Sequence, residues 1–249
     1  VETRERVTRI ELNRPEKKNA LSPEMYALIA QALADAEADA QVRAVLIHGQ
    51  GGCFTSGNDI KDFIELPRGP GESPAAGFLR AISSAKKPLV AAVGGPAVGV
   101  GTTMLLHCDL VYAAPNARLQ MPFVPLGLLP EAGSSLLLPA MAGYRRAAEM
   151  LLLGQPFGAE KALAAGIVTE VVPEAELLER ARAAALALAA LPPASVRMTK
   201  ELMKRDLARG VQERITEELH LFGERLKSPE AKEALRAFME KRKPDFSRF

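Results

Sequence analysis

Phe54-Thr55-Ser56-Gly57-Asn58-Asp59-Ile60 decides how this chain is read, because it is a glycine-bent turn set between a strongly apolar run and a helix start. Before it, Val42-Arg43-Ala44-Val45-Leu46-Ile47-His48 reads as a buried strand ending in Gly49-Gln50-Gly51-Gly52. Earlier still, Val7-Thr8-Arg9-Ile10-Glu11-Leu12 alternates as a half-buried strand. Ser22-Pro23-Glu24 then supplies an N-cap, an N1 proline and an early acid for a helix to about Asp39. Beyond the turn, a helix is expected, and residues 66–73 are rich in Pro and Gly, as a loop covering a site would be. Pro88-Leu89-Val90-Ala91-Ala92-Val93 leads into a second glycine turn, Gly99-Val100-Gly101-Thr102-Thr103. An apolar helix through His107 and a strand over 109–113 follow. Strand alternating with helix in this way favours an α/β core.

From about Gly127 the pattern is almost entirely helical, apart from a short strand in Ile167-Val168-Thr169-Glu170-Val171-Val172. Segments 173–190, 194–207, 211–225 and 229–241 each carry apolar residues at helical spacing, so four amphipathic helices in need of a partner surface are expected. A core domain over 1–190 and a helical region over 191–249 describe this change of character.

Composition excludes several function classes. With 249 residues, 48% of them apolar, the chain can bury a full core. A net charge of +2 leaves no footprint for nucleic acid, and the basic cluster Lys241, Arg242 and Lys243 reads as a solvated helix face. Cys53 and Cys108 form no disulfide framework and suit a reducing compartment. His48, His107 and His220 lie far apart, which gives no support to a metal site or a serine–histidine triad. Gly or Pro breaks every apolar stretch short of the ~18 residues of a membrane span, so a soluble, cytoplasmic protein without membrane contact is expected.

Glycine turns let backbone amides approach an anion without a Cβ in the way, and the two turns here suit that use. The run Gly94-Gly95-Pro96-Ala97-Val98-Gly99-Val100-Gly101 has neither the lysine of a phosphate-binding loop nor the spacing of a dinucleotide fingerprint. On its own, tight packing of helix on strand explains it as well.

Taken together with Arg14-Pro15-Glu16-Lys17-Lys18-Asn19-Ala20-Leu21, Cys108-Asp109-Leu110, Leu126-Gly127-Leu128-Leu129-Pro130 and the tail Phe238-Met239-Glu240-Lys241-Arg242-Lys243-Pro244, the two turns resemble the crotonase superfamily over essentially the whole chain. These are the enoyl-CoA hydratases and isomerases. The resemblance implies an α/β crotonase-like spiral of repeated ββα units with a C-terminal helical trimerisation region, assembling as a trimer or a pair of trimers. It also implies an acyl-CoA thioester substrate, coenzyme A being part of that substrate, with no separate cofactor and no metal. An enolate oxygen would be held by the backbone amides of Asn58 and Val100, donors whose side chains are free to vary. The coenzyme A moiety would lie along Lys18 and Ala20 and along Ser56, Asp59, Ile60 and Lys61, with Phe222 and Lys241 contributing from the tail.

The chain departs from the hydratases at the two glutamates that activate water. By motif these fall on Thr103 and Phe123, lining residues that cannot serve as general base or proton shuttle. A carboxylate follows in Leu128-Leu129-Pro130-Glu131-Ala132-Gly133-Ser134-Ser135, as in the peroxisomal-type Δ3,Δ2-enoyl-CoA isomerases. Glu131 is therefore the expected base, although an acid at a helix start after proline is also what capping alone favours. Hydration or thioester hydrolysis through Glu131 remains open, as does a non-catalytic acyl-CoA- or RNA-binding relative that has kept the fold.

Overall fold

The apolar run before the first glycine turn becomes β3 (Ala44–Gly49), a central strand of the main sheet. In this computed structural model, which describes residues 1–59 and 73–249, β3 lies between β2 (Val7–Leu12) and β4 (Leu89–Val93), parallel to both. Beyond β4 come β6 (Leu110–Ala113) and β9 (Glu170–Val171), also parallel, while β1 (Glu2–Arg4) closes the other edge antiparallel to β2. Every residue of β4 is buried, as expected of a parallel strand covered on both faces.

Alternation along the strands assigns the two faces. Leu12, Val45, Ile47, Leu89, Ala91 and Val93 join a core with α1 (Pro23–Ala38) and α2 (Pro74–Ser84). Ala44, Leu46, Val90, Ala92 and Tyr112 pack instead on Leu177, Ala181, Ala184 and Ala185 of α7 (Leu177–Ala190), whose small residues let it lie close to the sheet. Helix α1 begins as its sequence dictates, with the Ser22 hydroxyl accepting from the Met25 N–H and proline in the first turn.

A second sheet was not apparent from the sequence. It consists of β5 (Pro96–Val98), β7 (Arg118–Gln120) and β8 (Phe157–Gly158), elements too short to show a period of two. With the main sheet it gives the crotonase-like α/β fold, with its repeated ββα elements and helical C-terminal region. The helix expected directly after Ile60, and the loop expected over 66–73 except for Ser73, which caps α2, lie outside the described residues.

The remaining α-helices among the described residues are α3 (Val100–Thr103), α4 (Ser134–Ala142), α5 (Tyr144–Ala148), α6 (Ala159–Ala164), α8 (Pro193–Leu226) and α9 (Pro229–Met239). Helix α8 corrects the expectation of separate helices over 194–207 and 211–225: it is one helix of 34 residues that runs through Gly210. A glycine inside a helix costs only about 1 kcal/mol, which packing offsets here. Among the described residues, no helix is long and apolar enough to cross a membrane.

Helix α8 is fastened to the sheet by a buried cation. Lys200, 4% exposed, donates from Nζ to Asp109 Oδ2 at 2.6 Å and to the Lys87 carbonyl at 2.8 Å. The same Asp109 oxygen accepts the Leu89 N–H at the start of β4. Removing the cation leaves a carboxylate with little solvent beside the sheet. Lys200→Met is expected to lower stability by about 3 kcal/mol, the lower end for a broken buried pair because Asp109 keeps some solvent contact. A denaturant midpoint measurement checks this, and an unchanged midpoint would show that the pair does not fasten the helix.

Candidate active site

The two glycine turns are drawn together by backbone hydrogen bonds. Thr55 N–H donates to Pro96 O and Val98 N–H to Thr55 O, both at 3.0 Å, so the first turn pairs with β5. Contact is close enough to require glycine at two places. At Gly57, with φ +90°, a Cβ would lie 2.7 Å from the Val98 carbonyl oxygen, and at Gly101 one would lie 2.5 Å from Thr55 Cγ2. Among the described residues, neither the Asn58 N–H nor the Val100 N–H has a hydrogen-bond acceptor. Two unpaired donors therefore flank the point where the turns meet, the state expected of amides kept for a ligand.

The segment before α1 braces the first turn from the other side. Ser56 N–H donates to Lys18 O at 2.9 Å, and Leu21 N–H donates to Gly57 O at 2.8 Å. Asn19, fully buried, ties the segment together: its Nδ2 reaches the carbonyls of Gln50 and Cys53, its Oδ1 accepts the Arg14 N–H, and its carbonyl accepts the Thr55 hydroxyl. Arg14 pairs with Asp59 at 2.9 Å. Asn19 and Arg14 belong to the Arg14–Leu21 motif, but their bracing role depends on contacts between residues 31 to 45 positions apart.

Glu131 sits in the loop ahead of α4 and not in the first helical turn, where the sequence suggested it. Ala132 and Gly133, both at positive φ, intervene before the helix begins at Ser134. Capping therefore does not account for Glu131. Its side chain is buried, 7% exposed, and accepts a hydrogen bond from the Thr103 hydroxyl on α3. Burial raises its pKa to about 7; the Thr103 hydrogen bond opposes this and the nearby Glu218 carboxylate adds to it.

Tyr26, on α1, was not singled out in the sequence. Its hydroxyl donates to Asn58 Oδ1, and burial, reinforced by the charge of Glu131, holds its pKa well above the ordinary phenol value. It is a neutral donor throughout the physiological range, fixing the Asn58 side chain and itself lying within electrostatic reach of Glu131.

The other predicted residues divide by position. Thr103 is with Glu131, whereas Phe123 forms an edge-on pair with Phe222 from α8, the ring centroids 6.5 Å apart. Ala20 is buried behind the first turn, Ser56 and Asp59 are half-buried on it, and Lys18 is exposed. Lys241 is exposed at the end of α9. Ile60 and Lys61 lie outside the described residues. Among the described residues no cluster of His, Cys, Asp and Glu could hold a metal ion.

Comparison with known proteins gives a family model, enoyl-CoA hydratase/isomerase, matching residues 2–248. The chain is 41% identical over 206 residues to the enoyl-CoA delta isomerase 2 of Rattus norvegicus, covering 80% of this chain and 52% of that protein. It thus spans about half the length of the mammalian delta isomerase 2 relatives it matches. A probable enoyl-CoA hydratase of Bacillus subtilis is 34% identical over 92% of this chain and 90% of its own length. Among solved structures, that of Pseudomonas aeruginosa OdaA superposes with a TM-score of 0.94 at 51% identity, covering 96% of this chain and 97% of the other.

The raised pKa of Glu131 has a sign that stability measurements can read. Because the fold disfavours the ionised form, the penalty is absent below the ordinary value of 4.5 and grows until the pH has passed about 7. Glu131→Gln is expected to be more stable than the parent at pH 8 by up to about 3 kcal/mol, with the difference vanishing near pH 4.5. Thermal unfolding at both pH values checks this. An equal difference at the two would show that Glu131 does not titrate as described.

Proposed function

The chain belongs to the enoyl-CoA hydratase/isomerase family, and on that premise we propose that it is an acyl-CoA thioester enzyme that moves a double bond, a Δ3,Δ2-enoyl-CoA isomerase with Glu131 as its single base. The observation that carries this reading is a dry carboxylate with a pKa of about 7 on an α/β scaffold whose two glycine turns leave the Asn58 and Val100 amides unpaired.

In this mechanism, the Glu131 carboxylate removes a proton from C2 of a 3-enoyl-CoA. The electrons pass into a dienolate spread from the thioester oxygen to C4, and the Asn58 and Val100 amides receive the charge on that oxygen. Preorganised amides of this kind contribute on the order of several kcal/mol to the transition state. The protonated Glu131 then gives its proton to C4, leaving the double bond between C2 and C3. Atoms balance without water or cofactor. Thr103 orients the carboxylate, and the Phe123–Phe222 wall supports a water-poor acyl pocket.

Coenzyme A lies, in this reading, along Lys18, Ala20, Ser56, Asp59, Ile60 and Lys61, with exposed Lys18 and Lys241 suited to its phosphates. Residues 1–190 form the catalytic core and 191–249 the assembly region of a trimer or pair of trimers. Exposed Met198, Leu202 and Met203 on α8 favour such a covered face.

Hydration is the second reading, favoured by the likeness to proteins described as probable hydratases. A panel of 2-enoyl- and 3-enoyl-CoA esters with mass-resolved products separates the outcomes. Isomerisation is expected: a shifted double bond at unchanged mass, with kcat/KM rising with pH to a plateau above about 7 as the carboxylate forms. Glu131→Gln should bind the ester and lose at least about 100-fold in turnover, as removal of a general base does. A gain of one water supports hydration, free coenzyme A supports thioester hydrolysis, and salt-dependent RNA retention without turnover supports a binding protein.

A further inference from the structure

We propose that Glu218, on α8, is a positioning residue that pins the Ala132–Gly133 peptide and so holds Glu131 in its working place. This rests on the reading of Glu131 as the base. The backbone after Glu131 is unusual: Ala132 and Gly133 both adopt positive φ, at 63° and 70°, and helix α4 has no side-chain cap of its own. A left-handed alanine persists only where its surroundings over-determine it.

Those surroundings hold both ends of one peptide plane. The Ala132 carbonyl accepts from His107 Nε2 at 2.8 Å, and the Gly133 N–H of the same peptide donates to Glu218 Oε2 at 2.6 Å. Burial lowers the pKa of His107 to about 4, so its ring is neutral and its Nε2–H is the donor. The second oxygen of Glu218 accepts the Ser135 N–H at 3.0 Å, capping α4 from a residue more than 80 positions away in the sequence. Val211 and Ile215 lie against Gly133, and Arg214 donates to the Ser135 hydroxyl, so residues 211, 214, 215 and 218 of α8 present one face to this loop. Flipping the peptide would cost the His107 and Gly133 hydrogen bonds together.

A cap alone does not need a charge. Glu218 is 5% exposed and carries a carboxyl group near the buried Glu131, a like-charge arrangement that an Asn or Ser cap would avoid. Among the described residues, Arg214 acts on Glu218 and Tyr26 from α1 faces Glu131, while the neutral His107 holds the other end of the peptide, with Lys200 and Lys204 acting on His107 from α8. Burial raises the pKa of Glu218 itself, against the Ser135, Gly133 and Arg214 contacts that favour its ionised form. The residue therefore has two separable effects on Glu131, one through the backbone and one through charge.

Two variants separate them. Glu218→Gln removes the charge and leaves one acceptor oxygen for the two N–H groups of Gly133 and Ser135, so kcat should fall and, as the mark of the lost charge, the pH limb of kcat/KM should move to lower pH. Glu218→Asp keeps the charge and shortens the reach; kcat should fall on the order of 10–100-fold, as misplacement of a reacting group by about 1 Å does, with KM within about twofold and the pH limb near that of the parent. Parental kcat in folded Glu218→Asp overturns the proposal, as does an equal loss in kcat and rise in KM, which would mark a merely structural residue. Infrared titration of the Glu131 carboxyl, read by difference against Glu131→Gln, needs no turnover. A lower midpoint in Glu218→Gln supports the coupling even if Glu131→Gln proves active and the base assignment fails; an unmoved midpoint overturns it.

Discussion

The pairing of Thr55 with β5 is the contact on which the site depends. Its two backbone hydrogen bonds bring one glycine turn against the other, and Gly57 and Gly101 are two of the places where a Cβ would collide. Strand β3 behind the first turn belongs to a sheet buried on both faces, β5 behind the second belongs to the smaller sheet, and the first turn is braced again by Asn19 and the Lys18 carbonyl. Amides fixed in this way need no reorganisation when charge develops beside them, which is where such donors gain their strength.

Around that fixed point the chain arranges one acid with care. Glu131 comes from a loop of left-handed backbone, is oriented by Thr103, and lies within electrostatic reach of Tyr26 and Glu218. Helix α8 joins this loop to the region that carries the exposed apolar side chains, since Lys200 ties it to the sheet and Glu218 to the loop. Packing of the tail and placement of the acid are thereby linked through one rigid element.

What could be read in the sequence was local. The Ser22-Pro23-Glu24 helix start, strand β3 and the two glycine turns depend on neighbours within a few residues, and each appears where its pattern put it. What could not be read depends on distant partners. Gly210 reads locally as a break, yet α8 runs through it, with Leu136 beside that glycine. Ala132 carries no sign of its positive φ, so Glu131 was expected at a helix start that lies further on. Tyr26 and Glu218 look like ordinary members of amphipathic helices; only the fold turns one toward Asn58 and the other toward Gly133. The second sheet escaped notice because its strands are too short to show a pattern.

In the proposed mechanism the two turns form one anion-binding point, and Glu131 faces the carbon chain. A crystal structure of the Glu131→Gln variant with a bound 3-enoyl-CoA tests it most directly. The thioester oxygen is expected at about 2.7–3.1 Å from the amide nitrogens of both Asn58 and Val100, with the residue 131 side chain against C2 and C4. A thioester oxygen that meets neither amide, or a residue 131 side chain on the far side from C2 and C4, would contradict it.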